Sequence, residues 1–200
     1  MNEGDDANPF LTRADKEDRL GQRGLVIWLF GLSGSGKSTL ANTLERHLAA
    51  EGVLTRVLDG DDIRAGLNSG LGYDDEARKE NIRRAAETAR LFLDTGVVAI
   101  AAFICPKREL RELARQIVGE EDFVEVFVKA SYEACARRDV KGLYAKADSG
   151  ELAQFTGRDS AFEDPEPISS AIIVDTERHG ITHCVERVMD VVLPRIRVGV

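Results

Sequence analysis

Gly31-Leu-Ser-Gly-Ser-Gly-Lys37-Ser38-Thr39 fits G-x-x-x-x-G-K-[ST] at every fixed position. The apolar run Leu25-Val-Ile-Trp-Leu-Phe30 precedes it, and a helical pattern with Leu40, Leu44 and Leu48 follows. A glycine-rich turn between a buried strand and a helix lets successive backbone N–H groups converge on an anion, and the helix N-terminus adds partial positive charge. The stretch therefore reads as a P-loop. Gly31, Ser33, Gly34, Ser35, Gly36, Lys37, Ser38 and Thr39 are the candidate nucleotide-phosphate site. Lys37 is placed to reach the β- and γ-phosphates and is a candidate catalytic residue, and Ser38 is a candidate Mg²⁺ ligand.

Outward from that loop, apolar runs at 25–30, 54–58, 97–104, 123–128 and 171–174 read as buried strands. Helical patterns around 37–51, 76–94, 107–118, 131–138 and 181–193 separate them. Strands alternating with helices predict a three-layer, doubly wound α/β domain with a mainly parallel central sheet, and ligands at the carboxyl ends of its strands. Residues 1–23 carry charges and little periodicity, so the P-loop domain is set at 24–200, after an N-terminal extension that is either a mobile arm or a segment resting on a second subunit.

The second strand runs into Leu58-Asp59-Gly60-Asp61-Asp62-Ile63-Arg64. A carboxylate at a strand end beside bound phosphates can hold Mg²⁺ or take the proton of an attacking hydroxyl, which makes Asp59 a metal candidate and Asp61 a catalytic one. These acids also suit the cap of a following short helix, Asp62 most readily. Arg64, one turn further, can fork onto an anion. Gly70-Leu-Gly-Tyr73 leads to a charged helix head on which Arg78 and Asn81 share a side at i, i+3 spacing, open to one ligand or to solvent.

The third strand ends in Cys105-Pro106-Lys107-Arg108; Cys105 reads as a buried small hydrophobe before it reads as a reactive thiol. From about 137 to 164, Arg137-Arg138-Asp139, Lys141-Gly-Leu-Tyr144 and Phe155-Thr-Gly-Arg158 mix charges, glycines and isolated aromatics. This predicts a mobile lid that excludes water from a reactive phosphate and brings arginines such as Arg137 to it. His47, His179 and His183 show no metal spacing.

Two hundred residues with 43% hydrophobic content suit one core. A net charge of −8 and a pI near 5.0 argue against a nucleic-acid partner, and no apolar run reaches membrane-spanning length. The three cysteines, without metal or disulfide spacing, fit a reducing cytoplasm.

Taken together, Trp28 to Thr39, Asp59-Gly-Asp-Asp-Ile-Arg64, Leu71-Gly-Tyr73, Arg78 to Arg84, Arg138-Asp-Val-Lys-Gly-Leu-Tyr144 and Phe155-Thr-Gly157 resemble the adenylylsulfate kinases in order and spacing, from about residue 20 to about 167. The resemblance implies a P-loop kinase that uses Mg²⁺ and ATP to phosphorylate the ribose 3′-hydroxyl of adenosine 5′-phosphosulfate. It implies that Arg64, Arg78 and Asn81 hold the phosphosulfate region and that Tyr73 and Phe155 enclose the substrate adenine. Ile104, Cys105, Lys141, Leu143 and Thr156 would lie nearby, with Asp61 closest to the 3′-hydroxyl as base or orienter. A homodimer and a functional link to ATP sulfurylase are implied in the same way.

Three positions depart from the family pattern. Tyr73 stands where Phe is usual, Cys105-Pro106-Lys107 where Ser-Pro-aromatic is common, and Arg158 where an aliphatic residue is frequent. Cys105 cannot become a phosphoserine, so direct in-line transfer is expected. A related P-loop kinase of another small hydroxyl substrate, such as a nucleoside monophosphate or gluconate, is the alternative; it does not require Asp-Gly-Asp-x-Ile-Arg and Lys-Gly-Leu-Tyr together. A GTPase-like switch is disfavoured because the chain has no Asn-Lys-x-Asp segment.

Overall fold

A computed structural model describes residues 10–151, 155–166 and 169–198. Its element order is α1 (Arg13–Leu20), β1 (Leu25–Phe30), α2 (Lys37–Ala50), β2 (Thr55–Asp59), α3 (Gly60–Ala65), α4 (Asp75–Leu93), β3 (Val98–Phe103), α5 (Arg108–Val118), β4 (Phe123–Lys129), α6 (Tyr132–Arg138), α7 (Leu143–Asp148), β5 (Ile172–Asp175) and α8 (Ile181–Ile196). The strands form one sheet in the order β2-β3-β1-β4-β5, with every pair parallel.

Strand β1 is apolar throughout because helices cover both of its faces, and its alternation sorts the core in two. Leu25, Ile27 and Leu29 join Leu40, Leu44 and Leu48 of α2 and Val185, Val188 and Val192 of α8. Val26, Trp28 and Phe30 join Ile82, Ala86 and Ala89 of α4 and Leu110 and Ala114 of α5. The small Ala101 is level with the large Trp28, whose ring stacks on Phe103 at 5.3 Å. Alternating volumes of this kind let the layers interdigitate without voids.

Five expected strands and five expected helices lie within a few residues of their predicted spans. The helix at 181–193 runs on to Ile196 although Pro194 lies inside it, in the last turn. Two helices, α1 and α7, were not predicted, and α3 is the short helix that the acids at 59–62 suit. The first changes the reading of the extension: α1 carries a capping box, with Asp15 N–H donating to Thr12 Oγ1 and Thr12 N–H to the Asp15 carboxylate, and it ends at a left-handed Gly21. It buries no side chain; polar bonds hold it to its own domain instead. Arg13 grips Asp122 through both terminal nitrogens at 2.5 and 2.8 Å, and buried Gln22 bonds the backbones of Leu54 and Gly96. From Arg13 onward the extension is thus held to its own domain and is not a free arm; the expectation for residues 1–9 lies outside the described residues.

The second, α7, and the short helix α3 flank the ligand edge. Among the lid residues, α7 and the turn at 155–160 fold onto the P-loop. Cys135, Tyr144, Ala147 and Phe155 form a small third core with Leu32 and Tyr132 packed against it. Residues 152–154 of the expected lid lie outside the described residues.

Candidate active site

The carboxyl ends of β1, β2, β3 and β5 and the lid surround a cavity of about 620 Å³, a size suited to small-molecule sites. At the end of β1, Gly31 adopts φ 154°, and a Cβ there would stand 2.4 Å from the carbonyl oxygen of Val128, so only glycine lets the loop leave the sheet at this point. Gly36, also at positive φ, caps α2, whose first residues line the cavity. Lys37 Nζ donates to the Gly31 and Leu32 carbonyls at 3.0 and 2.6 Å. Burial pushes its ammonium down to about 8, with Lys141 adding repulsion. A polyphosphate in the loop would supply the missing counter-charge.

Ser38 Oγ donates to Asp59 Oδ2 at 2.6 Å, while Asp59 Oδ1 accepts from Asp61 N–H and caps α3. Two hard oxygen ligands at the mouth of a phosphate loop fit Mg²⁺, which usually takes few protein ligands beside phosphate and water. The expected short helix is present, but its cap is Asp59 and not Asp62, which lies inside the first turn with Asp61, and Asp61 projects from that turn into the cavity. The lid reaches it there, through an ion pair with Lys141. The resemblance places Lys141 near an adenine; here it sits on the Asp61 carboxylate.

The opposite wall is basic. Arg64 lies 4.5 Å over the Tyr73 ring and donates to the Gly72 carbonyl at 3.1 Å. Arg78 donates to the Tyr73 carbonyl at 2.7 Å and to Thr156 Oγ1 at 3.0 Å. Burial and the nearby Arg64 both lower the Arg78 pKa, and Asp75 raises it. Asn81 is buried beside them and lines the same cavity. The charged helix head thus lines the cavity at Arg78 and Asn81, while Glu80 is occupied outside by Arg83 and Arg84.

Ile104, Cys105, Leu143, Phe155 and Thr156 also line the cavity, as do Ser33, Gly34 and Thr39. Burial pushes the Cys105 thiol up to about 12, so it serves as a small apolar wall and not as a nucleophile. Three candidates fall outside the cavity lining. Gly31 serves through its carbonyl and its conformation. Ser35 is buried inside the loop, its hydroxyl without a partner among the described residues. Arg137 points outward to Glu177 at 3.7 Å, and the arginine lining the cavity is its neighbour Arg138, bonded to Gly34 and Thr176. Successive helical residues point about 100° apart, so only one of the pair can face the loop.

Lys107 is not at the site; it pairs with Asp75 on the rim at 2.9 Å. Arg158 binds the Ala147 carbonyl and Asp148, tying the lid's return turn to the C-terminus of α7. The sequence reading passed over Thr176 and His179 to Ile181, which line the cavity from the loop after β5; the strand-end rule points to Thr176.

Residues 23–174 match the family described as adenylylsulphate kinase. A relative named adenylyl-sulfate kinase from Bacteroides thetaiotaomicron is 52% identical over 93% of this chain and 92% of its own length. One of the same name from Aeromonas hydrophila is 57% identical over 78% of this chain and 79% of its own. The Mycobacterium tuberculosis APS kinase CysC, solved in complex with AMPPNP and APS, superposes with a TM-score of 0.80 at 41% identity, over 86% of this chain and 98% of that one. Among the described residues no helix is long and apolar enough to cross a membrane. The five-stranded parallel sheet, the phosphate loop and these relatives agree: the chain is an ATP-dependent kinase and belongs to the adenylylsulphate kinase family.

Proposed function

We propose that the chain transfers the γ-phosphoryl group of ATP to the ribose 3′-hydroxyl of adenosine 5′-phosphosulfate, giving ADP and 3′-phosphoadenylylsulfate. The observation that carries this reading is the layout of one cavity: a phosphate loop at one end, Arg64, Arg78 and Asn81 at the other, aromatic walls from Tyr73 and Phe155, and the Asp61 carboxylate between.

Phosphoryl transfer through a loose transition state asks for alignment and for neutralisation of charge on the phosphate oxygens. Lys37 supplies a cation at the β- and γ-phosphates, and Arg138 brings a second from the lid. Ser38 and Asp59 would hold Mg²⁺, which supplies further neutralisation of the phosphates when bound. Arg64, Arg78 and Asn81 fix the phosphosulfate, so that the 3′-hydroxyl meets Asp61. The Asp61 carboxylate accepts the hydrogen bond of that hydroxyl, orients its lone pair along the line of attack and takes the proton as the new O–P bond forms. The bond to the β-phosphate oxygen breaks in the same step and ADP leaves. Cys105 has no hydroxyl to phosphorylate and its thiol is neutral and buried, which supports direct transfer. Helix α7 and the turn at 155–160, folded over the loop through Tyr144, exclude water from the transferring group.

The test is ADP release from Mg-ATP with adenosine 5′-phosphosulfate, AMP, gluconate or no acceptor, with ³¹P NMR of the product. Turnover dependent on adenosine 5′-phosphosulfate and a 3′-phosphate are expected; turnover with another acceptor alone would overturn the assignment. The resemblance also supports a cytoplasmic homodimer working beside ATP sulfurylase. Sedimentation of the full chain at the mass of two copies is the expected result for the dimer, and a single copy at micromolar concentration would overturn it.

A further inference from the structure

Asn68 is 1% exposed, in the turn between α3 and α4, and it belongs to none of the motifs that mark the phosphate loop or the anion wall. Its side-chain nitrogen donates to two oxygens of a single residue: the Asn81 backbone carbonyl at 3.3 Å and Asn81 Oδ1 at 2.9 Å. Its own Oδ1 is buried without a partner among the described residues.

The backbone carbonyl settles which way both amides face. A carbonyl oxygen only accepts, so the Asn68 atom turned towards it must be the NH₂ group. That NH₂ also meets the Asn81 side chain and requires an acceptor there, which places Asn81 Oδ1 inward. The Asn81 Nδ2, with two N–H donors, is then left for the other side, where Asn81 lines the cavity beside Arg64 and Arg78. It has no hydrogen-bond partner among the described residues and is not among the atoms sealed from solvent. Turned the other way, the Asn81 amide would present its oxygen to the same space and repel an anion. A stranded Asn68 Oδ1 costs stability, and a fold keeps such a buried orphan when the orientation it enforces serves a site.

We propose that Asn68 is a positioning residue for the acceptor site: it locks the Asn81 amide with its NH₂ toward the cavity, so that the anion wall presents donors only. This rests on the proposed function, in which that wall receives the phosphosulfate of the acceptor. Asn68 touches no substrate and acts only through Asn81. The adjoining turn is tied down by other bonds, Arg64 to Gly72 and Arg78 to Tyr73, so removing the lock leaves the wall standing but its third member free to rotate.

A double-mutant cycle on the full-length kinase tests this, with KM measured separately for the acceptor and for ATP, and thermal unfolding as a control. In Asn68→Ala the KM for adenosine 5′-phosphosulfate should rise about 10-fold while that for ATP stays within about two-fold, as expected for a weakened donor to a charged group. Asn68→Asp has the same shape but accepts where Asn68 donates; it should turn the Asn81 amide over and raise the acceptor KM about 100-fold. In an Asn81→Ala background, Asn68→Ala should add nothing. The inference is overturned if Asn68→Ala leaves the acceptor KM unchanged, if it acts equally strongly without the Asn81 side chain, or if both KM values rise together with a fall in melting temperature. Should Asn68→Asp fail to fold, the alanine cycle decides by itself. Wild-type enzyme inactive on adenosine 5′-phosphosulfate would instead overturn the proposed function, and the same cycle, run on the acceptor it does use, would still decide the role of Asn68.

Discussion

At the donor end of the cavity, one unbroken run from Gly31 to Thr39 supplies backbone carbonyls, the lysine and the start of α2, and its shape comes from glycine conformations and the end of a single strand. At the acceptor end, residues from α3, α4, the end of β3 and the lid meet only because side chains staple backbone segments together: Arg64 to Gly72, Arg78 to Tyr73, Asn68 to Asn81, Lys141 to Asp61. The donor end is thus local in sequence and rigid through its backbone. The acceptor end is distributed and depends on polar side chains, each of which can be lost without unfolding the sheet. Substitutions at the acceptor end should therefore separate acceptor binding and turnover from ATP binding more cleanly than substitutions in the loop.

The largest such separation is expected at Asp61, where the two ends meet. Asp61→Asn keeps the shape but cannot take a proton, so kcat should fall about 10²- to 10⁴-fold while ATP affinity stays within about two-fold. Single-turnover kinetics with ATP binding measured apart would check it, and unchanged turnover removes Asp61 from the mechanism.

Glu125 on β4 probes the scaffold behind the acceptor end. It is 7% exposed and holds Arg111 at 3.0 Å and Arg115 at 2.5 Å. Arg111 in turn donates to the carbonyls of Cys105, Pro106 and Glu163, tying the end of β3 to the limb that returns from the lid. Glu125→Ala leaves a buried guanidinium without its carboxylate, a loss of about 3–5 kcal/mol, or roughly 6–20 °C in melting temperature. If the contrast between the two ends holds, the surviving folded enzyme shows a higher KM for the acceptor than for ATP relative to wild type. An equal rise in both would mean that the ends share one scaffold.

Lys37 sharpens the comparison from the donor side. Its pKa in the fold, about 8, lies below the ordinary 10.5, so the unfolded chain holds more protons between those values. Its cost to stability is complete below about pH 8 and fades as pH rises toward 10.5. Phosphate in the loop favours the charged form, so ATP binding near pH 8 should take up about half a proton at this group. ATP affinity should weaken as pH rises through that value. Calorimetry of ATP binding in buffers of different ionisation enthalpy reads the uptake directly, and Lys37→Met should abolish it. Acceptor binding should show no such uptake from Lys37; if it does, the two ends are electrostatically one.

The same contrast explains what the sequence made legible. The donor loop is legible because its residues are contiguous and each position has its own chemical demand. Arg64, Arg78 and Asn81 emerged as a group only through resemblance, since the charge run around Arg78 reads equally well as a solvated face. Helix α1 was readable in principle: Thr12-x-x-Asp15 is a capping box, masked by the absence of an apolar stripe on a helix that buries nothing. Helix α7 gave no comparable signal, because the acid that accepts from its first-turn N–H groups, Asp139, lies three residues before Gly142, and the helix is held by Tyr144, whose hydroxyl donates to the Ser33 carbonyl far away in the chain. Arg138 and Arg137 are chemically identical, and only the rotation of α6 chooses between them. Asn68 was out of reach for a different reason. Its role is written in the partner it meets across the turn, and an isolated asparagine between leucine and serine announces only a turn.

The smallest expected effect is at Cys105. The residue has φ 40°, its backbone carbonyl is held by Arg111, and its thiol is buried against the Trp28 layer of the core, so position and conformation are set by the backbone and not by the sulfur. Cys105→Ser restores the hydroxyl common at this position in the family while changing one atom. If transfer is direct, kcat stays within about three-fold, because the substitution adds neither a cation nor a base at Asp61 and disturbs only a weak packing contact. Mass spectrometry after incubation with ATP alone provides the sharper reading. A serine variant that gains a phosphate, passes it to the acceptor and turns over faster than the parent would show that the end of β3 lies in line with the donor. In that case the neutral wall of the wild-type site is a route closed by one sulfur atom. No phosphate on the variant, with activity retained, leaves the hydroxyl of the acceptor as the only nucleophile the cavity admits.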